Sequence, residues 1–136
     1  MNDHTAEIVR YRLNKGQEAI LEAEVLLETR HWNTSINRSY YACFYVVSSL
    51  LLLKDVKSKT HTGTRTMFHQ HLIQAGILTD VDADVYDMLF DSRQEGDYID
   101  FVEFDTAQAY SMLQAATALV GKMGNLITNE LQRQDL

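Results

Sequence analysis

The chain has 136 residues, 46% of them hydrophobic and 23% charged, with a net charge of −7 and a pI of about 5.1. That length suits a single domain with its own core, and the composition excludes a disordered chain. The acidic balance argues against broad, non-specific nucleic-acid binding, which needs a basic surface, but leaves room for a small local basic site.

Proline is absent. Helix interiors exclude it, whereas sandwiches and long loops usually carry some, so the chain leans towards helix. The lone Cys43 has no second cysteine to pair with, which points to a reducing, cytoplasmic compartment. The N-terminal MNDHTAEIVRYR is charged where a signal peptide needs an apolar run. The most apolar stretch, Ala42 to Leu53, is 12 residues long and includes Ser48 and Ser49. It is too short to span a bilayer and reads as a buried helix, so no membrane partner is expected.

In chain order, Val9, Leu13, Gly16, Ile20, Ala23 and Leu27 follow the alternating spacing of one helix face, predicting a long amphipathic helix over about 5–29. His31 to Thr34 is a connector, and Asn33 or Thr34 is expected to cap the next helix. There Ile36, Tyr40, Cys43, Val47 and Leu50 make a stripe that Tyr41, Phe44 and Leu51 widen. A helix apolar on so many sides belongs at the centre of the fold. The polar loop Lys54–Thr60 precedes a shorter helix over about 62–75, with Phe68, Leu72 and Ala75 inward and Gly76 as its C-cap. Thr79 or Asp80 caps a fourth helix carrying Val81, Val85, Met88 and Leu89, expected to end near Gly96. After an acidic loop, Asp105 and Gln108 form a capping-box pattern ahead of a last helix. Its inner face is Ala109, Leu113, Ala116, Val120 and Met123, and the polar tail beyond Thr128 is expected to fray. The expected fold is all-α, an antiparallel four- to five-helix up-and-down bundle in one domain with a core of about 6–124.

No phosphate loop, HExxH, CxxC or serine elbow is present, so no metal or other cofactor is expected. Three constellations carry chemistry. In Asn37–Ala42, Arg38 beside the apolar stripe either holds a phosphate, with Tyr41 stacking on a base, or pairs with a carboxylate on a neighbouring helix. In Lys57–Gly63, Lys59 and His61 lead into a helix N-terminus that favours an anion; alternatively, Thr60 simply caps the helix and the lysines are solvated. In Ser92–Tyr98, Arg93 falls four residues after Leu89, near the inner stripe, with Asp97 one turn on as its counter-ion. That pair either closes the helix end or lines a polar cleft.

Taken in order, NRSYYACFYVVSSLLLL, KTHTG and LFDSRQEGDY resemble the prokaryotic HEPN-domain family, over roughly residues 6–124. The resemblance implies a helical bundle, often homodimeric, with a polar groove by the arginine-bearing helix end. It also implies a frequent partner, a minimal nucleotidyltransferase, in toxin–antitoxin or related pairs. Other family members are metal-independent ribonucleases, whose signature is an arginine followed after four to six residues by a histidine. Arg93 matches that arginine, but Tyr98, Ile99 and Asp100 stand where the histidine would fall. A tyrosine, with a pKa of about 10, is a poor base at neutral pH, and an aspartate repels phosphate. Arg65 and His71 have the same spacing on the third helix, outside the family motif, while His69 and His71 lie on different faces and do not suggest zinc.

The expected function is thus a non-catalytic HEPN-like module that binds a nucleotide, an RNA or a protein partner. Arg38, Tyr41, Lys59, His61, Arg93, Asp97 and Tyr98 would line or support its groove. The alternatives are an endoribonuclease using Arg93 with His61, and a purely structural interaction module.

Overall fold

The computed structural model describes residues 1–134 and is all-α. Its helices are α1 (Asp3–Glu28), α2 (Trp32–Leu53), α3 (His61–Phe68), α4 (Asp80–Tyr98) and α5 (Thr106–Gln134), and α3 runs on into a π-helical turn over His69–Ile73. Among the described residues, no helix is long and apolar enough to cross a membrane.

Side-chain bonds fix the register of the first two helices. Ser35 donates to the Ala23 carbonyl, Arg38 reaches Glu22, Arg12 donates to the Ser48 carbonyl and Ser49 to that of Val9. As one number falls the other rises, so α1 and α2 are antiparallel. Gly16 sits where they come closest: a Cβ there would collide with Val46 Cγ2 and lie 2.8 Å from the Ala42 carbonyl oxygen. Thr117 and Val120 of α5 share a groove with Gln17 and Ile20, and Thr128 and Leu131 share one with Arg10 and Leu13, so α5 runs antiparallel to α1. With α4 opposed to α2, the four long helices form an up-and-down bundle.

α2 lies at the centre, as its stripe predicts: Tyr40, Ala42, Cys43, Val46 and Val47 are fully buried. Thr79 and Asp82 form a capping box at the start of α4, and Asp105 and Gln108 exchange the same bonds ahead of α5. Gly76, at φ +78°, closes the π turn; its N–H bonds the Ile73 carbonyl and that of Ile77 the Leu72 carbonyl, a Schellman arrangement that needs a left-handed residue.

Four expectations need correction. Neither Asn33 nor Thr34 caps α2, which starts at Trp32 with His31 in the cap position. Asn33 instead donates to the Val102 carbonyl and accepts from the Phe104 N–H, tying the loop after α4 to the start of α2. Ala75 is exposed, because the helix ends at Ile73 and Ala75 lies in the turn that follows. On α4, Leu89 is buried but Val81 and Met88 face solvent; the inner face is Asp82, Ala83, Tyr86, Leu89, Phe90 and Arg93. Two charged residues sit inside because each meets partners, several of them on other helices, that a hydropathy pattern does not reveal. Finally, the stretch beyond Thr128 does not fray through residue 134: Ile127 and Leu131 extend the inner stripe of α5 and are buried. The last two residues lie outside the described residues.

Candidate functional site

The central helix α2 and the C-terminal half of α4 meet around Arg93. Its side chain is only 4% exposed, and its guanidinium carbon lies 4.8 Å from the centre of the Tyr40 ring, 5.7 Å from that of Tyr41 and 5.6 Å from that of Tyr98. These are cation–π distances, and the rings take the place of water around the charge. Its polar contacts are long. Nη1 is 3.4 Å from the Tyr98 hydroxyl and 3.8 Å from Asp97 Oδ2, and the buried Nε has no partner. Asp97 is held at 2.7 Å by the Asn37 amide of α2, so it serves two groups.

Against the same two rings, His61 opens α3. Thr60 accepts the Gly63 N–H and caps the helix, which places His61 in its first turn. The imidazole packs 4.5 Å from the Phe44 ring centre, 5.5 Å from Tyr41 and 5.6 Å from Tyr40, and its Nδ1 is 2.7 Å from the Tyr40 hydroxyl. Burial first, and then the charge of Arg93, hold its pKa below the ordinary histidine value. Tyr40 is pushed up to about 12, chiefly by burial, so the phenol stays protonated.

Of the residues singled out from sequence, Tyr41, His61, Arg93, Asp97 and Tyr98 converge. Arg38 stands at the margin, bonded to Glu22 at 3.1 Å, with its guanidinium 5.3 Å from the Tyr41 ring centre and a buried Nε that has no partner. The carboxylate-pairing reading of Arg38 describes its geometry, although Tyr41 is thereby approached by two cations. Lys59 is exposed in the loop ahead of His61 and is not among the side chains that meet Arg93. Arg65 and His71 do not form a pair; Arg65 binds Asp91 on α4 and lies 3.9 Å from the Phe90 ring centre. His69 bonds both oxygens of Asp87 at 3.0 Å. Among the described residues, no group of three or more His, Cys, Asp or Glu could hold a metal ion.

Two contributors are missing from the sequence reading of the site. Asn37 orients Asp97, and Tyr40, which falls in the core stripe, links Arg93 to His61. A tyrosine in a core stripe is a usable signal, because its buried hydroxyl must find a partner. The partner itself is not readable from spacing.

The arrangement is a buried cation with spare donors, a histidine beside it and a wall of aromatic rings. It suits a phosphate flanked by a stacking base.

A family model described as HEPN domain matches residues 9–126 of the chain. A UPF0332 protein of Thermotoga maritima is 29% identical over 121 residues, covering 89% of this chain and 92% of its own. The UPF0332 protein glr0978 of Gloeobacter violaceus is 34% identical over 89 residues, covering 63% of this chain and 68% of its own. A protein of Methanocaldococcus jannaschii named "Putative toxin MJ0142" is 25% identical over 113 residues, covering 81% of this chain and 75% of its own.

Proposed function

The chain belongs to the HEPN family, and from that membership we propose that it is a non-catalytic binding module of a toxin–antitoxin-like pair. Its ligand is a nucleotide or an RNA, one phosphate of which is held by Arg93. The observation that carries this reading is the state of that arginine. Its guanidinium is dehydrated, its two polar contacts are long and its Nε is unpaired. A buried charge with unused donors is costly to maintain, and an anion would satisfy it. Tyr41 and the exposed Tyr98 supply faces on which a base can stack, while Lys59 and Arg38 add positive charge nearby.

The toxin-like part of the reading is supported by the names of two relatives, both from M. jannaschii. The partner we favour is a minimal nucleotidyltransferase. Tyr98, which lies against Arg93, and Ile99 and Phe101, which follow it in the chain, are exposed apolar side chains, which supports a homodimer or a partner closing over the site. Calorimetric titration with ATP and with short single-stranded RNA, the RNA then being run out to look for cleavage, tests this reading. Binding without cleavage supports it; no binding of either ligand counts against it.

A second reading is metal-independent endoribonuclease activity using Arg93 with His61, favoured by one observation: both side chains pack on the Tyr40 and Tyr41 rings. On that reading, cleavage is seen with the wild type and vanishes in both Arg93→Ala and His61→Ala with the fold intact. Cleavage that survives both substitutions removes it.

A further inference from the structure

Tyr40 is wholly buried, and its hydroxyl lies 2.7 Å from Nδ1 of His61. A buried phenol proton needs an acceptor. The buried Tyr86 hydroxyl also reaches Tyr40, but it lowers the Tyr40 pKa while its own is raised, as a donor's would be, so it does not take the Tyr40 proton. The other polar group against the Tyr40 ring is the Arg93 guanidinium, which only donates. The phenol proton therefore goes to Nδ1, and the proton of neutral His61 must sit on Nε2. Among the described residues, nothing bonds that Nε2.

We propose that Tyr40 is a positioning residue that fixes His61 as its Nε2–H tautomer, so that His61 and Arg93 both present N–H donors to one phosphate. The phosphate part rests on the function proposed above; the tautomer does not. In this arrangement His61 is a donor and not a base. Its Nδ1 lone pair is taken by Tyr40, and its Nε2 carries a proton. The groups facing it are Tyr40 and Tyr41 from α2 and Arg93 from α4. None is an acid that would favour imidazolium, and Arg93 opposes it. A site with a neutral donor beside a fixed cation holds a phosphate diester without withdrawing a proton from a neighbouring ribose hydroxyl or from water. This is a physical account of binding without turnover, in a chain whose motif lacks the histidine of the family's ribonucleases.

The test is ring-nitrogen NMR on the full chain labelled with 15N-histidine, the His61 signals being identified by their loss in His61→Gln. The expected spectrum shows an unprotonated, hydrogen-bonded Nδ1 and a protonated Nε2. In Tyr40→Phe, which removes only the hydroxyl, the Nδ1 signal should move away from its hydrogen-bonded position, and AMP should bind about three- to tenfold more weakly. A protonated Nδ1 in the wild type, or an Nδ1 signal unmoved in Tyr40→Phe, overturns the tautomer assignment. AMP affinity unchanged in Tyr40→Phe overturns the positioning role. If the wild type does not bind AMP, the phosphate reading falls and the donor role with it, while the ring spectrum still decides the tautomer.

Discussion

Arg93 and His61 engage the same tyrosine by different means: the guanidinium lies 4.8 Å from the centre of the Tyr40 ring, and the imidazole takes its hydroxyl at 2.7 Å. The two groups are thereby held on one aromatic surface although they come from α4 and α3. The core of the bundle is what places them. Tyr40 is packed between Tyr86 and Phe90 of α4 on the interior side of α2, so neither Arg93 nor His61 is positioned by a mobile loop alone.

Replacing Arg93 by methionine separates function from stability. A buried ion with long, incomplete contacts is replaced by an apolar chain of similar length, and Asp97, part-exposed and still bonded to Asn37, is not left as a buried unpaired charge. The melting temperature should stay level or rise, while ATP affinity drops by about tenfold or more. Thermal unfolding and calorimetry on the same variant check both halves. A large loss of stability would make Arg93 a structural residue.

The pH dependence stems from the depressed pKa of His61, caused first by burial and then by Arg93. The folded protein binds this proton less readily than the unfolded chain. Stability linked to neutral His61 is complete above the unfolded value of about 6.5 and is lost as the pH falls towards the folded value below it. In Arg93→Gln the titration midpoint of His61 should rise but not reach the ordinary value, since burial remains. NMR titration of His61 in both proteins measures the shift; an unchanged midpoint would mean that Arg93 is not felt at the imidazole.

Gly16→Ala tests the close approach of α1 and α2. In an exposed helix interior the change should stabilise by up to about 1 kcal/mol. At this position the new methyl would collide with Val46 and crowd the Ala42 carbonyl, so a net loss of about 1–3 kcal/mol is expected from overpacking. Denaturant unfolding gives the sign, and a stabilised variant would contradict the tight contact.

Asp82 is a buried carboxylate that the fold accommodates. Burial pushes its pKa up, but Lys122, at 2.6 Å, and Thr79 bring it below the ordinary aspartate value. The stability it confers is present above about pH 4 and is lost as the pH falls through its lowered pKa. Asp82→Ala removes half of the capping box and the bridge to α5, at a cost of about 1–2 kcal/mol. The loss should shrink in acid, which equilibrium unfolding at two pH values would reveal.

Much of the bundle is legible in the sequence because its helices obey simple periods. Val9 to Ala23 on α1 and Tyr40 to Leu50 on α2 are buried as their spacing predicts, and Thr79, Gly76 and Asp105 punctuate the chain where capping chemistry requires. What hydropathy misreads is α4. Val81 and Met88 look like core residues and are exposed, while Asp82 and Arg93 look like surface residues and are buried. The deciding interactions are with Lys122, Thr79 and three tyrosines, and most of these are distant in sequence. Arg93 is legible as a candidate through its place after Leu89, and Asp97 through its spacing. The roles of Tyr40 and Asn33 are not, because their partners, His61 and the Val102–Phe104 segment, meet them only through the folded connections between helices.

The central claim is that the unpaired Nε of Arg93 belongs to a phosphate site. Its most direct test is to track arginine Nε–H resonances during titration with ATP, the Arg93 signal being identified by its loss in Arg93→Met. If the claim holds, this resonance shifts as ATP binds, and binding is lost in the variant. ATP binding that leaves the Arg93 signal unmoved, or no binding by the wild type, would contradict it.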